Sequence, residues 1–227
     1  MSFTIEDMIL TAENRYEMKF LAGQNGWANS ISWVHLLEDT TIIQNFWGKE
    51  LAVTTGLGFP QKEDWMNLAR LLNRYHASGL IINVGQYIYD VPEELIAYCN
   101  ENDLPLLTVP WEVHLSDMIK DFSIHVFLQD NTDEQIVAAL IAAIETPDNQ
   151  KAYRKELLQH FDVDGSFQVL LLTCEGLDAM DTVERRKLSY RIQLYLEDIT
   201  HNASFFYYNS DFVLVANAVS EEYLYRL

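Results

Sequence analysis

The feature that most constrains this chain is an alternation of strand-like and helix-like segments between residues 50 and 110. ELAVTTG is a short apolar run ending at a glycine. QKEDWMNLARLLNRYHASG then brings apolar side chains back at helical spacing, with Trp65, Leu68, Ala69, Leu72 and Tyr75 on one face and Gly79 as the stop signal. LIINVG reads as an apolar strand, PEELIAYCNEN as a helix opening at Pro92, and LPLLTVP as a further strand. Strand, helix and strand joined by tight connections make a parallel unit with a right-handed crossover. The expectation is an α/β domain over residues 1–114.

Upstream, TIEDMIL places Thr4 as an N-cap with Asp7 three residues later, the pattern of a capping box. EMKFLAG and ISWVHLL read as strands separated by the turn-prone QNGWAN, and TTIIQNFW as a helical turn. Downstream come two helical stretches, LSDMIKDFSIHVFLQD and TDEQIVAALIAAIE, the second capped by Thr132 and carrying a stripe of Ile136, Leu140, Ala143 and Ile144. That stripe suits packing within the chain or against a second copy, so 115–160 is expected to be a helical linker and dimerisation segment. From Phe167 the pattern changes. FQVLLLT is a strand, and TVERRKLSYRIQLYLEDIT is a helix with Leu188, Ile192, Tyr195, Leu196 and Ile199 on one face. SFFYYNSDFVLVAN is a hairpin turning at Asn209 and Ser210, and SEEYLYRL starts a last helix. One strand, one helix and one hairpin make a marginal core, so 161–227 is expected to be a truncated α+β domain. The fold class is thus α/β: a mixed or parallel sheet with flanking helices, a helical linker, then a partial second domain.

Charge narrows the partners. With 34 acids against 15 bases the chain carries −19 at neutral pH, and such a surface repels nucleic acid, which needs cations to neutralise its phosphates. The basic runs KAYRK and ERRK are short and flanked by acids, as on solvated helix faces. Cys99 and Cys174 have no pairing or metal spacing, which fits a reducing compartment. The start lacks a secretory pattern, and the longest apolar run, IVAALIAAI, is too short for a bilayer. A cytoplasmic protein with no membrane partner is expected.

The stretch GKELAVTTGLGF asks for a function. A phosphate loop needs a lysine after its glycines, and here Lys49 precedes the strand. A dinucleotide fingerprint needs three glycines opening a helix, whereas Gly56 and Gly58 supply two and Pro60 breaks the spacing. A turn with positive φ at one glycine is the plain structural reading. Thr54 and Thr55 nonetheless put hydroxyls at the carboxyl end of a strand, where open α/β sheets bind ligands. His35 and Glu38 converge for a metal only if their strand ends at Leu37, and His114 with Asp117 offers two ligands, short of a closed site. His76 and His125 fall on helical patterns. No nucleophile elbow appears and neither cysteine has a histidine at motif spacing. No enzyme activity, metal or cofactor is expected.

In series, SWVHLLE, GKELAVTTGLGF, SGLIINVG and VPEELIAYCNENDLPLLTVPWEV, with the helices after the second and last blocks, resemble the N-terminal region of PucR-type (purine catabolism regulator) bacterial transcription factors across residues 4 to 128. The resemblance implies a sensor domain, a degenerate GGDEF-like domain and a C-terminal helix-turn-helix domain that binds DNA. In the second module, Asn209 and Ser210 stand where active diguanylate cyclases carry their glycine pair, with Asp211 before Phe212, which argues against cyclase activity. The DNA-binding module is expected to lie outside this chain, and DNA is expected as a partner only through it. The family's polar positions map to Glu38, Glu50, Thr54, Thr55 and Gly56; the two glutamates either bind ligand or cap backbone groups. The expected ligand site is Glu38, Glu50, Thr54, Thr55, Gly56 and Asn83. The expected partners are a small-molecule effector and a second copy in a homodimer. A protein-recruiting module without a ligand and a fold-related enzyme are the alternatives.

Overall fold

The computed structural model describes residues 3–197 and 203–217. The chain divides into two compact units, Ser2–Gln129 and Asp130–Leu227. The fold is mixed α/β, as the alternation predicts.

In the first unit, helix α1 (Ile5–Ala12) starts at the expected box: Asp7 N–H donates to the Thr4 hydroxyl oxygen at 3.2 Å, and Thr4 N–H donates to the Asp7 carboxylate at 3.0 Å. Five strands follow: β1 (Lys19–Ala22), β2 (Trp33–Leu36), β3 (Glu50–Thr54), β4 (Gly79–Val84) and β5 (Leu106–Pro110). The sheet runs β1-β5-β4-β3-β2, parallel throughout except that β1 is antiparallel to β5. Helices α2 (Lys62–Arg74) and α3 (Glu93–Glu101) lie in the β3–β4 and β4–β5 connections. QNGWAN and TTIIQN both wind into 3₁₀ turns.

All five residues of β3 are buried, because the sheet is covered on both faces. Ala52, Leu80 and Ile82 pack with Trp65, Leu68 and Leu72 of α2 and Leu95 and Cys99 of α3. Leu51, Val53 and Ile81 pack on the other face with Ile5 and Met8 of α1 and with Met118, Phe122 and Val126. Each fully buried aliphatic side chain contributes about 1.5–3 kcal/mol, so neither helix layer is dispensable.

Three local expectations need correction. Helix α2 does not wait for Gly79, which already belongs to β4; it ends at Arg74, and His76 takes the left-handed conformation (φ 54°) that turns the chain back. The helical stretches after Val113 are one helix, α4 (Leu115–Glu145), with Thr132 in its interior and not at a cap. No glycine or proline falls between those residues, so nothing pays back the loss of a helical turn there. The stripe residues Ile136 and Leu140 pack within the second unit.

In that unit α5 (Arg154–Leu157) precedes β6 (Phe167–Leu172), α6 (Thr182–Glu197), β7 (Ala203–Tyr208) and β8 (Asp211–Asn217), in a sheet ordered β6-β8-β7. The hairpin turns where predicted, with Asn209 and Ser210 both left-handed (φ 48° and 74°), the backbone of a type I′ turn. On α6, Leu188, Ile192 and Leu196 face the core, but Tyr195 points to solvent. Ile199 and the helix expected at SEEYLYRL lie outside the described residues. No helix among the described residues is long and apolar enough to cross a membrane.

Candidate functional site

The carboxyl ends of β2 to β5 lie along one edge of the parallel sheet; Thr54 ends β3 there, and the loops leaving β2 and β3 carry Glu38, Thr55 and Gly56. Strand β2 ends at Leu36, and Glu38 follows in the loop. Its Oε1 accepts from Thr55 N–H at 2.8 Å and from the Thr55 hydroxyl at 2.6 Å. Its Oε2 accepts from the Thr54 hydroxyl at 3.1 Å and from Gly58 N–H at 3.4 Å. One carboxylate thus ties the loop after β2 to the loop after β3. Thr54 Oγ1 in turn accepts from Gly56 N–H at 3.1 Å, closing the TTG bend on itself. Hydrogen bonds to an ionised acceptor are the strong kind.

Two glycines make this knot possible. Gly56 has φ +85°, the left-handed turn anticipated from sequence. Gly58 is held for a different reason: a Cβ there would stand 1.5 Å from the Glu38 carbonyl oxygen. The loops approach so closely that only a residue without a side chain fits.

The structure brings Glu38, Thr54, Thr55 and Gly56 together but leaves Glu50 and Asn83 elsewhere. Glu50 begins β3 while Thr54 ends it, and four strand steps separate them by about 13 Å. At its own end Glu50 is buried and accepts from Trp47 N–H at 2.6 Å and Gly48 N–H at 2.9 Å, capping the GK turn. Burial pushes its pKa above the ordinary glutamate value, partly countered by those backbone donors. Asn83 is in β4, one residue beyond Ile82, which pairs with Thr54. Successive residues of a strand face opposite ways, so Asn83 looks to the α1/α4 face while Thr54 looks to α2 and α3. Its amide donates to Pro110 O at 2.6 Å, tying β4 to the end of β5. Both predicted glutamates therefore cap backbone groups.

The same edge also presents side chains that the sequence reading did not select. Leu57, Tyr87, Tyr89 and Trp111, from the loops after β3, β4 and β5, are exposed. Tyr87 and Trp111 meet edge to face, ring centres 5.6 Å apart. The signal available in sequence was positional: each lies just after a parallel strand.

Other candidates resolve into structure. His35 stacks on Phe46 at 5.1 Å, and its pKa is lowered by burial. His114 pairs with Asp117 at 3.0 Å on the exposed start of α4. No cluster of three metal-ligating side chains occurs among the described residues. Burial in the core pushes the Cys99 thiol up to about 12, far from a nucleophile's range.

Against known proteins, the chain is 23% identical over 121 residues to the Purine catabolism regulatory protein of Bacillus subtilis (strain 168), a match that takes in 52% of this chain and 23% of that relative. No solved structure matches. The model of the PucR family, the purine catabolism regulatory protein-like family, matches residues 8–126, the sheet and helices that carry the Glu38 knot. This chain belongs to the PucR purine catabolism regulatory protein-like family.

Proposed function

We propose that the first unit is the effector-sensing part of a bacterial transcription regulator, with its ligand seated on the carboxyl edge of the parallel sheet. The observation that carries this reading is the Glu38 knot: two loops at that edge are pinned through four donors, beside exposed Tyr87 and Trp111. Pre-positioned loops with a few polar groups and aromatic walls are what small-molecule sites use. The ligand contacts are the outward-facing groups of Thr55 and the Gly56 bend together with the aromatic pair, while Glu38, whose two oxygens each already accept twice, holds the bend in place. Glu50 and Asn83 support from outside the site.

The remaining parts of the reading are modular. The second unit is a degenerate GGDEF-like domain, catalytically silent; its hairpin keeps a glycine-like backbone at Asn209 and Ser210 without glycine. DNA is contacted by a helix-turn-helix module outside this chain, and the regulator works in the cytoplasm as a homodimer. Sensing is a population shift: the effector must bind one arrangement better than the other, or nothing is transmitted.

Isothermal titration of the chain against purine catabolites and amino-acid metabolites tests this. Saturable binding that Trp111→Ala weakens at least tenfold is the expected result. No binding by any of them, with DNA affinity of the full-length regulator unmoved, overturns it. The exposed Leu57, Tyr87, Tyr89 and Trp111 also favour a second reading, a protein-docking edge. A stoichiometric protein partner lost in Tyr87→Ala, with blank metabolite titrations, selects that one.

A further inference from the structure

The loops at the carboxyl edge of the first unit lock to one another beyond the Glu38 knot. A Cβ on Gly56 would stand 3.2 Å from both Ile88 and Trp65, so the TTG bend packs directly on the loop after β4. That loop is narrow, closed by Gly85 N–H donating to Ile88 O at 2.8 Å, with Gln86 and Tyr87 between. Gly85 has φ +129°, and a Cβ there would lie 3.0 Å from the Trp111 Cβ, so the loop packs in turn on the one after β5. Asn83 holds the start of that last loop through Pro110 O. The product is a fixed aromatic corner. Tyr87 and Trp111 meet at 85° and stay 49% and 39% exposed. Two rings at right angles turn one face each toward the same space, and the face of an aromatic ring is its negative pole.

The charges around this corner select among ligands. An anion would seek a helix N-terminus, but α2, α3 and α4 all carry their own carboxylates in the first turn: Glu63 and Asp64, Glu93 and Glu94, and Asp117. Asp64 already accepts from Gln61 N–H at 2.9 Å. Segments 55–64, 85–94 and 111–117 hold seven acids and a single lysine. That lysine, Lys62, bridges to Glu94 at 3.1 Å, and His114 pairs with Asp117 at 3.0 Å. Lys19 of β1 is level with Thr108, three residues or about 10 Å short of Trp111. Exposed Asp90 and Glu112 flank the two aromatic loops. Such a field draws positive charge and turns negative charge away.

We propose that the effector is a cationic amine, whose ammonium group sits in the corner between the Tyr87 and Trp111 rings. A cation over an aromatic face is stabilised by the ring quadrupole, and the surrounding carboxylates add to this without contact. This inference rests on the reading of the carboxyl edge as a ligand site and names the chemistry of its ligand.

Titrating the whole chain with three probes of one shape tests it: choline, dimethylbutanol as its neutral carbon isostere, and dimethylbutanoate as an anion. Calorimetry and tryptophan fluorescence read the binding, and circular dichroism checks that each variant is folded. Choline should bind at least about fivefold more tightly than the neutral probe, and the anion most weakly. Tyr87→Ala and Trp111→Ala should each weaken choline at least about fivefold, while Trp111→Phe keeps a ring face and most of the affinity. Asp90→Asn with Glu112→Gln should weaken choline at low salt and leave the neutral probe unmoved. Choline binding that both alanine variants leave intact lies elsewhere and overturns the inference. A neutral or anionic compound that binds as tightly as choline, in a Trp111-dependent way, overturns the amine class while the sensor reading survives. No saturable binding by any probe or metabolite overturns both.

Discussion

Replacing Glu38 with alanine removes the acceptor for four donors at once: two on Thr55, one on Thr54 and one on Gly58. The bonds are unequal. Those to Thr55, at 2.6 and 2.8 Å, are short and charge-assisted, whereas the bond from Gly58 at 3.4 Å is weak. A hydrogen bond to a charged group contributes about 1.5–3 kcal/mol. Glu38 is only half buried, so water replaces part of what is lost. The two strong bonds, discounted this way, give an expected loss of about 2–3 kcal/mol for Glu38→Ala. At 1.4 kcal/mol per decade that is an increase of about 30- to 150-fold in local opening of the TTG bend. Glu38→Gln keeps Oε1 as acceptor but turns an amide N–H₂ toward Gly58 N–H, and should cost about 1 kcal/mol. Hydrogen exchange of a peptide covering 54–60, read with urea unfolding of the chain, measures both. If protection in the alanine variant stays within threefold of the parent, the carboxylate does not lock the loops, and the reasoning that makes this edge pre-organised fails.

Gly58→Ala should damage the same bend by geometry alone, since a Cβ 1.5 Å from a backbone oxygen forces one loop to move; expect a loss of at least about 3 kcal/mol and faster exchange of Thr55, both absent if the loops simply part. Glu50 is raised in pKa by burial, so the native state holds its proton to higher pH than the unfolded chain does. Its contribution to stability is therefore full below about pH 4.5 and falls as pH rises through the elevated folded value. Urea titrations across pH 4.5–7 should show Glu50→Gln lacking this downward component; an identical pH profile refutes the assignment. Ser210→Gly relieves a left-handed non-glycine residue in the hairpin and should stabilise the second unit by about 0.5–1 kcal/mol, seen as a higher unfolding midpoint.

Much of this molecule is local information. The 3.6-residue recurrence of Trp65, Leu68, Ala69 and Leu72 and the apolar runs at β3, β4 and β5 specify elements and the parallel order, because period and tight connections act over a few residues. The capping box at Thr4 and the Asn209–Ser210 turn are legible for the same reason. What spans many residues was not. Glu38 and Gly58 meet across two loops only because β2 and β3 pair in parallel register, Glu50 and Thr54 are parted by the length of the strand they share, and Asn83 is turned away by the pleat. FQVLLLT reads in sequence as a strand, and the structure leaves its Phe167, Val169 and Leu171 exposed among the described residues. Whether an apolar side chain is covered depends on which helix lands on it, and that is set by packing between distant segments, not by the pattern of the segment itself.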